Sequence, residues 1–392
     1  MRKIYLDNAA TTYVTQEVLN EMLPYFNSDF GNSSSLHGHG RDATAALDKA
    51  RGRIAKAIGC EGSEIYFTSG ATESNNWLLK GLAEQYSYKG KHIITSKIEH
   101  PSIMESCKYL QTKGFKITYL PVDKDGLVSI SELLHNIGSD TILVSIMAAN
   151  NEIGTIQHIK AIAQTVKERG VIFHTDAVQA IGAIAFNVKE MGIDAMTISG
   201  HKINGPKGIG ALYLKNGLKI SSLIHGGHQE RAKRGGTVNV PGAVGLGKAC
   251  EMATRDIVIN SQKLKRLREY FVNQVMEKIP FVKLNGHPIQ RLPGIANLSF
   301  GMVEGEAVML MLDLEGISVS TGSACTSGSL EQSHVLRAIG LSQELTQSSI
   351  RFSFSKGITN EEIDYVVAKL EEIVKKLRAI SPLTKSSIGE FN

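Results

Sequence analysis

The sequence predicts an α/β protein: a large unit on a mostly parallel central sheet, followed by a smaller α+β region. Three observations lead there. Short apolar runs bounded by turn residues recur through the first two-thirds of the chain. Amphipathic segments at helical spacing lie between several of them. From about Pro241 the alternation gives way to a long helical stretch and a second group of strands.

The runs "SEIYFTSG", "KHIITSK", "FKITYLPV", "TILVSIMAAN", "VIFHTDAVQ", "DAMTISG" and "GALYLK" read as buried strands. "ATESNNWLLKGLAEQY", "HPSIMESCKYLQTKG" and "IKAIAQTVKERG" read as the helices that carry the chain from one parallel strand to the next. Ligands are then expected at the carboxyl ends of the strands. Beyond Pro241, a helical stretch reaching roughly Lys278 precedes strands at "FVKLNG", "GIANLSF" and "SSIRFSFS". Helices at "EGEAVMLMLDLEG" and "TNEEIDYVVAKLEEIVKKLRAI" interleave with them. The tail "SPLTKSSIGEFN" is expected to fray.

Composition excludes several classes. At 42% hydrophobic and 21% charged residues, the chain is an ordinary globular one. No apolar run has the length of a membrane span, and "MRKIYLDNAATT" has no signal-peptide core, so a cytoplasmic protein is expected. A net charge of +5 from 43 basic and 38 acidic residues argues for no nucleic-acid partner, and "KLKRLREY" reads as a solvated helix face. The four cysteines, Cys60, Cys107, Cys250 and Cys325, show neither disulfide nor zinc spacing, and no metal site is expected. Cys107 and Cys250 read as packing residues, and Cys60 ends a helix. Cys325 is different. It stands in "STGSACTSGS", among small polar residues that bury little, with no histidine or second cysteine beside it.

Polar groups of complementary roles collect at predicted strand ends. Lys202 follows a strand in the glycine-rich turn "SGHKINGPKGIG". It reads as a solvated lysine, as part of a phosphate loop that lacks the Gly-Lys-Ser/Thr ending, or as a Schiff-base lysine for an aldehyde cofactor such as pyridoxal phosphate. The last reading demands a carboxylate for the cofactor's ring nitrogen, and "FHTDAVQA" offers Asp176, with Gln179 three residues on for the phenolic oxygen. Asp176 is equally readable as a helix N-cap. A phosphate would suit the helix start in "SGATESNN", where Ala71 and Thr72, with Ser199 and His201, are candidate donors. His100 in "EHPSI" could stack on a ring and move protons, and "NNEIGT" adds Asn150 and Asn151. Arg351 in "SSIRFSFS" suits a carboxylate clamp, or an ordinary salt bridge.

Taken together, "YLDNAATT", "GNSSSLHGHGR", "SGATESNN", "EHPSI", "NNEIGT", "HTDAVQA", "SGHKINGPKGIGALY", "HGGHQE", "RGGTVN", "GSACTSG", "SHVLRAIG" and "SSIRFS" resemble the NifS/IscS-type cysteine desulfurases over almost the full chain. These are class V aminotransferase relatives of fold type I that use pyridoxal phosphate. The resemblance implies that Lys202 is the cofactor lysine, Asp176 holds the ring nitrogen, Gln179 contacts the phenolic oxygen and His100 stacks on the ring. It implies phosphate binding by Ala71, Thr72, Ser199 and His201, with Thr237 supplied across a homodimer. Asn151 and Arg351 would orient the substrate L-cysteine, and Asn8 would line the substrate side. Cys325 would accept sulfur as a persulfide, pass it to an iron–sulfur scaffold or tRNA-thiolation protein, and could transiently ligate an iron–sulfur cluster. Its segment, about 320–332, is expected to be mobile. The expected division places residues 14–258 in the large unit and residues 1–13 and 259–392 in the small one.

Four positions depart from the family's usual pattern: Tyr13, Ser33, His228 and Gly235. The last two put the shape of the dimer-spanning loop in question. A selenocysteine lyase, another class V enzyme and a non-catalytic sulfur-transfer partner are the competing readings.

Overall fold

The computed structural model describes residues 3–321 and 332–381. Cys325 and all but the first residue, Ser381, of the tail expected to fray lie outside the described residues. The chain opens with β1, Ile4–Tyr5. Seven strands follow: β2 (Ile65–Thr68), β3 (His92–Ser96), β4 (Lys116–Leu120), β5 (Thr141–Ser145), β6 (Ile172–Asp176), β7 (Ala195–Ser199) and β8 (Gly210–Leu214). They form one sheet in the order β2-β8-β7-β6-β5-β3-β4. Strands β3 to β7 are parallel, and β8 alone runs against its neighbours β2 and β7.

All seven apolar runs read as strands lie in this sheet. They are continuous rather than alternating because both faces are covered. Val144 and Phe173 enter a core on one face with Ile54 and Ile198, while Leu143 enters a core on the other with Trp77, Ile93 and Leu212. The three predicted helices lie between successive strands, at Ala71–Tyr86 (β2 to β3), Pro101–Thr112 (β3 to β4) and Ile159–Glu168 (β5 to β6).

The helix expected from Pro241 to Lys278 is two helices, Val240–Arg255 and Ile257–Lys278, broken at Asp256. The break separates two packing duties. The first helix buries Ala243, Leu246 and Ala249 in the core of the seven-stranded sheet. The second buries Phe271 and Val275 in a different core. The small-residue run "PGAVGLGKAC" has a cause in the first helix: a Cβ on Gly247 would stand 2.8 Å from the Cα of Ala50, on the helix Gly38–Ile58.

The second core is built on β9 (Val282–Asn285), β10 (Ile295–Phe300), β11 (Ile317–Ser318), β12 (Ser320–Thr321) and β13 (Ser349–Ser353). Four of these pair antiparallel in the order β12-β13-β10-β9, and β11 pairs in parallel with β1. Phe300, Phe352 and the C-terminal helix Asn360–Ile380 fill that core. The segment after β1 joins the two sheets. Ser353 donates its N–H to Leu6 O (2.7 Å), and Thr12 donates its N–H to His201 O (2.9 Å).

One turn matters for the predicted dimer-spanning loop. Glu230, Arg231 and Ala232 are consecutive left-handed residues, with φ of 45°, 57° and 60°. Such a run costs energy that the surroundings must offset. Buried Glu230 does this through a bidentate pair with Arg51 and by accepting the Phe67 N–H (2.8 Å). Glu230→Ala would leave the Arg51 charge buried and unpaired, so chemical unfolding is expected to show a loss of about 3–5 kcal/mol. A loss below about 1 kcal/mol would mean that the pair does not hold the turn. Gly235 also has a local reason: a Cβ there would meet the Gly226 Cα at 2.7 Å, so a larger residue would not fit this packing. Among the described residues, no helix is long and apolar enough to cross a membrane.

Candidate active site

Because β2, β3, β5, β6 and β7 point the same way, their carboxyl ends meet along one edge of the sheet. A cavity of about 600 Å³ lies there, a volume suited to a small molecule. Among the described residues, every site residue predicted from sequence lines it except Asn8, Asn150 and Thr237.

One end of the cavity is the start of the helix Ala71–Tyr86. Gly70 caps it at φ 151°, ψ 179°, a conformation open essentially to glycine alone, and a Cβ there would meet nothing within 4 Å. Ala71 and Thr72 thus begin the helix facing open space, with free N–H groups and the positive end of the helix dipole. Ser199 ends β7, and His201 follows it with Nδ1 3.1 Å from Thr11 Oγ1. Burial, then the charges of Lys202 and Lys207, push the His201 imidazole down to about 4, so it is neutral at pH 7. Glu73, in the first helical turn, accepts from the Ser69 N–H (2.8 Å) and pairs with Arg234 (2.8 Å). Burial raises its pKa, but these partners outweigh that and hold it below the usual carboxylate range.

Lys202 lies in the short 3₁₀ turn Gly200–Lys202. Its Nζ donates to the carbonyls of Ala9 (2.7 Å) and Ala10 (2.6 Å). Gln179 donates its Nε2–H to the same Ala9 carbonyl, at 2.9 Å. Asp176 ends β6 and is 5% exposed. Its Oδ1 accepts from the Val178 N–H (3.0 Å), the Asx turn that an N-cap reading anticipates, and its Oδ2 accepts from Asn75 Nδ2 (2.7 Å). His100 caps the helix Pro101–Thr112, and burial lowers its pKa against the pull of Asp176.

Arg351 comes from the second sheet. It is on β13, paired on both sides by β10 and β12, so it is an interior and not an edge residue. Its side chain is 2% exposed, donates to Asp7 Oδ1 (2.8 Å) and to the Asn151 carbonyl (3.1 Å), and its Nε has no partner among the described residues. A guanidinium held this way keeps donor capacity for a carboxylate in the cavity.

Asn8 donates to the carbonyls of Ser353 (2.8 Å) and Tyr5 (3.3 Å) and lines a neighbouring cavity on the other side of Ala9 and Lys202. Thr237 is exposed and outside the cavity. Sequence reasoning missed Asp7, Glu73, Arg234, Asn75 and Ser102. Two of these, Glu73 and Asn75, stood in "SGATESNN", whose spacing spoke only for a helix start.

The sequence matches a known family, aminotransferase class-V, whose model fits residues 4–366. The chain belongs to the aminotransferase class-V family. Within it, the chain is 52% identical over 383 residues to the cysteine desulfurase IscS of Methanosarcina thermophila, covering 98% of this chain and 95% of the relative. It is 47% identical over 386 residues to the cysteine desulfurase of Homo sapiens, covering 98% and 84%. Among solved structures, a NifS-like protein superposes with a TM-score of 0.91 at 41% identity, covering 96% of this chain and all of that one. SspA in complex with cysteine superposes at 0.81 and 36% identity, covering 90% and 99%. This class-V chain therefore has the fold-type I architecture predicted from its sequence.

Proposed function

We propose that this chain is a pyridoxal-phosphate-dependent cysteine desulfurase. The observation that carries the reading is one cavity bordered by a lysine, a buried carboxylate, a histidine, a helix N-terminus and a carboxylate-binding arginine. The residues fit the cofactor. Gly70 leaves a cradle at the helix start for a phosphate, with Ala71, Thr72, Ser199 and His201 around it. Asp176 would hold the ring nitrogen, Gln179 the phenolic oxygen, and His100 would cover the ring. Bound pyridoxal phosphate supplies an electron sink for the substrate's Cα.

The chain's own groups do the rest. Arg351, with Asn151, binds the carboxylate of L-cysteine. Lys202 removes the Cα proton. The thiolate of Cys325 attacks the substrate sulfur: an S–S bond forms, the substrate C–S bond breaks, and its electron pair stays on carbon. Two protons then return, one to that carbon and one to Cα, with Lys202 or His100 as donor; they balance the Cα proton taken by Lys202 and the proton lost by the Cys325 thiol. L-cysteine and the Cys325 thiol thus become L-alanine and a Cys325 persulfide, with no outside oxidant. The role of Cys325 comes from its sequence context, since it lies outside the described residues.

A homodimer accompanies this reading. Phe26, Phe30 and Leu36 are 61%, 66% and 92% exposed on one short stretch, an apolar surface that a second copy would cover. Thr237, exposed beside the turn pinned by Glu230, would serve the second copy's phosphate. The division near residue 258, at the Asp256 helix break, belongs to the same proposal. So do a cytoplasmic location and delivery of sulfur to an iron–sulfur scaffold or tRNA-thiolation protein.

The purified protein with pyridoxal phosphate, L-cysteine and a thiol reductant should form alanine and sulfide in equal amounts. Turnover of L-selenocysteine alone would move the assignment to a selenocysteine lyase.

A further inference from the structure

Behind the cavity, a chain of four polar side chains runs from Asp176 to His100. Asn75 is fully buried, and its Nδ2 lies 2.7 Å from Asp176 Oδ2 and 2.9 Å from Ser102 Oγ. Ser102 Oγ lies 2.9 Å from His100 Nδ1, and the Ser102 backbone N–H donates to the same ring nitrogen at 3.2 Å.

Each direction of donation follows from the chemistry of the groups. An ionised carboxylate only accepts, so Asn75 must turn its amide nitrogen, and not its oxygen, toward Asp176. The second N–H of that nitrogen then points to Ser102 Oγ. The hydroxyl, already accepting, has its proton left for His100 Nδ1. A backbone N–H only donates, so Nδ1 accepts from it as well and carries no proton. The neutral ring must hold its proton on Nε2. Among the described residues, Asn75 Oδ1 is buried without a partner. A buried unpaired acceptor is costly. The arrangement persists because the charged acceptor at Asp176 claims the other end of the amide.

We propose that Asn75 and Ser102 are positioning residues that tie the Asp176 carboxylate to the His100 imidazole and lock His100 with its proton on Nε2. The lock stands on geometry alone; its consequence for turnover rests on the proposed function. His100, which lines the cavity, then offers an N–H through its only free nitrogen and does not accept a proton there. The ionisable groups facing His100 are Asp176, which favours its charged form, and Lys202 and His334, which oppose it.

The test is ¹⁵N NMR of histidine-labelled, cofactor-free protein, with the His100 signals assigned by their loss in His100→Gln. Wild type should show a protonated Nε2 and an unprotonated Nδ1 at neutral pH. Ser102→Ala removes a bond that favours the neutral ring, so the His100 titration midpoint should rise by about one pH unit. Ser102→Thr keeps the hydroxyl and should restore it. In the cofactor-loaded enzyme, Asn75→Leu should lower kcat roughly tenfold with KM for L-cysteine unchanged, because Asn75 reaches Asp176 and not the substrate. A wild-type proton on Nδ1, or a midpoint indifferent to Ser102→Ala, overturns the proposal. A wild type with the Nε2–H form that does not turn over cysteine would instead sink the functional reading and leave the lock standing.

Discussion

Lys202→Ala should lower alanine formation from L-cysteine by about three orders of magnitude while leaving the fold intact. The size follows from what the amine is asked to do: in the proposed reaction it takes the Cα proton, and removing a positioned base of this kind costs about 10²–10⁴-fold. The fold should survive because the backbone that Lys202 holds has a second donor. Lys202 donates to the Ala9 and Ala10 carbonyls, and Ala9 keeps its bond from Gln179. The variant's thermal midpoint should therefore stay close to that of wild type. Lys207 makes the comparison sharp, because it lines the same cavity. Lys207→Ala should lose far less activity than Lys202→Ala. Equal losses would mean that the wrong lysine has been placed in the mechanism.

Asp176→Asn is the second large effect. The substitution keeps shape and removes the charge. In wild type the carboxylate is nearly fully buried and receives N–H bonds from Val178 and Asn75. An uncharged amide cannot stabilise a proton on the ring nitrogen of a bound cofactor. Preorganised charges of this kind are worth about 10²–10³ in rate, so kcat should fall by that factor with KM for L-cysteine nearly unchanged. The charge of Asp176 also favours the protonated form of His100, so the variant should titrate His100 at lower pH. A kcat within about threefold of wild type would show that the carboxylate serves only as the Asx turn of its loop.

Much of this was legible in the sequence, and what was not has physical reasons. The seven strands stood out because burial on both faces makes each one a continuous apolar run. Lys202, Asp176, His100 and Asn151 stood out because strand ends in a parallel sheet converge on one edge. Asn75 did not, because its partner Asp176 is 101 residues away and no local spacing announces the contact. Asp7 is further removed still, 344 residues from Arg351, and only the path of the chain between the two sheets brings them together. The helix Gly38–Ile58 was glimpsed only at its end near Cys60, since its first turn holds two glycines and two histidines lie at its start. The break at Asp256 has no strong local signal either; it exists because the helices on its two sides serve different cores. Asn8 shows the reverse error of scale. Its motif placed it at the right segment, and its side chain turns to the adjacent cavity.

The central claim is that cysteine sulfur leaves by attack of the Cys325 thiolate, at a site built by Lys202, Asp176 and Arg351. The most direct measurement compares alanine formation from L-cysteine by wild type and Cys325→Ala, both loaded with pyridoxal phosphate. The account predicts that the variant keeps the visible absorbance of the bound cofactor and loses alanine formation. A variant that keeps that absorbance and forms alanine at the wild-type rate would contradict it.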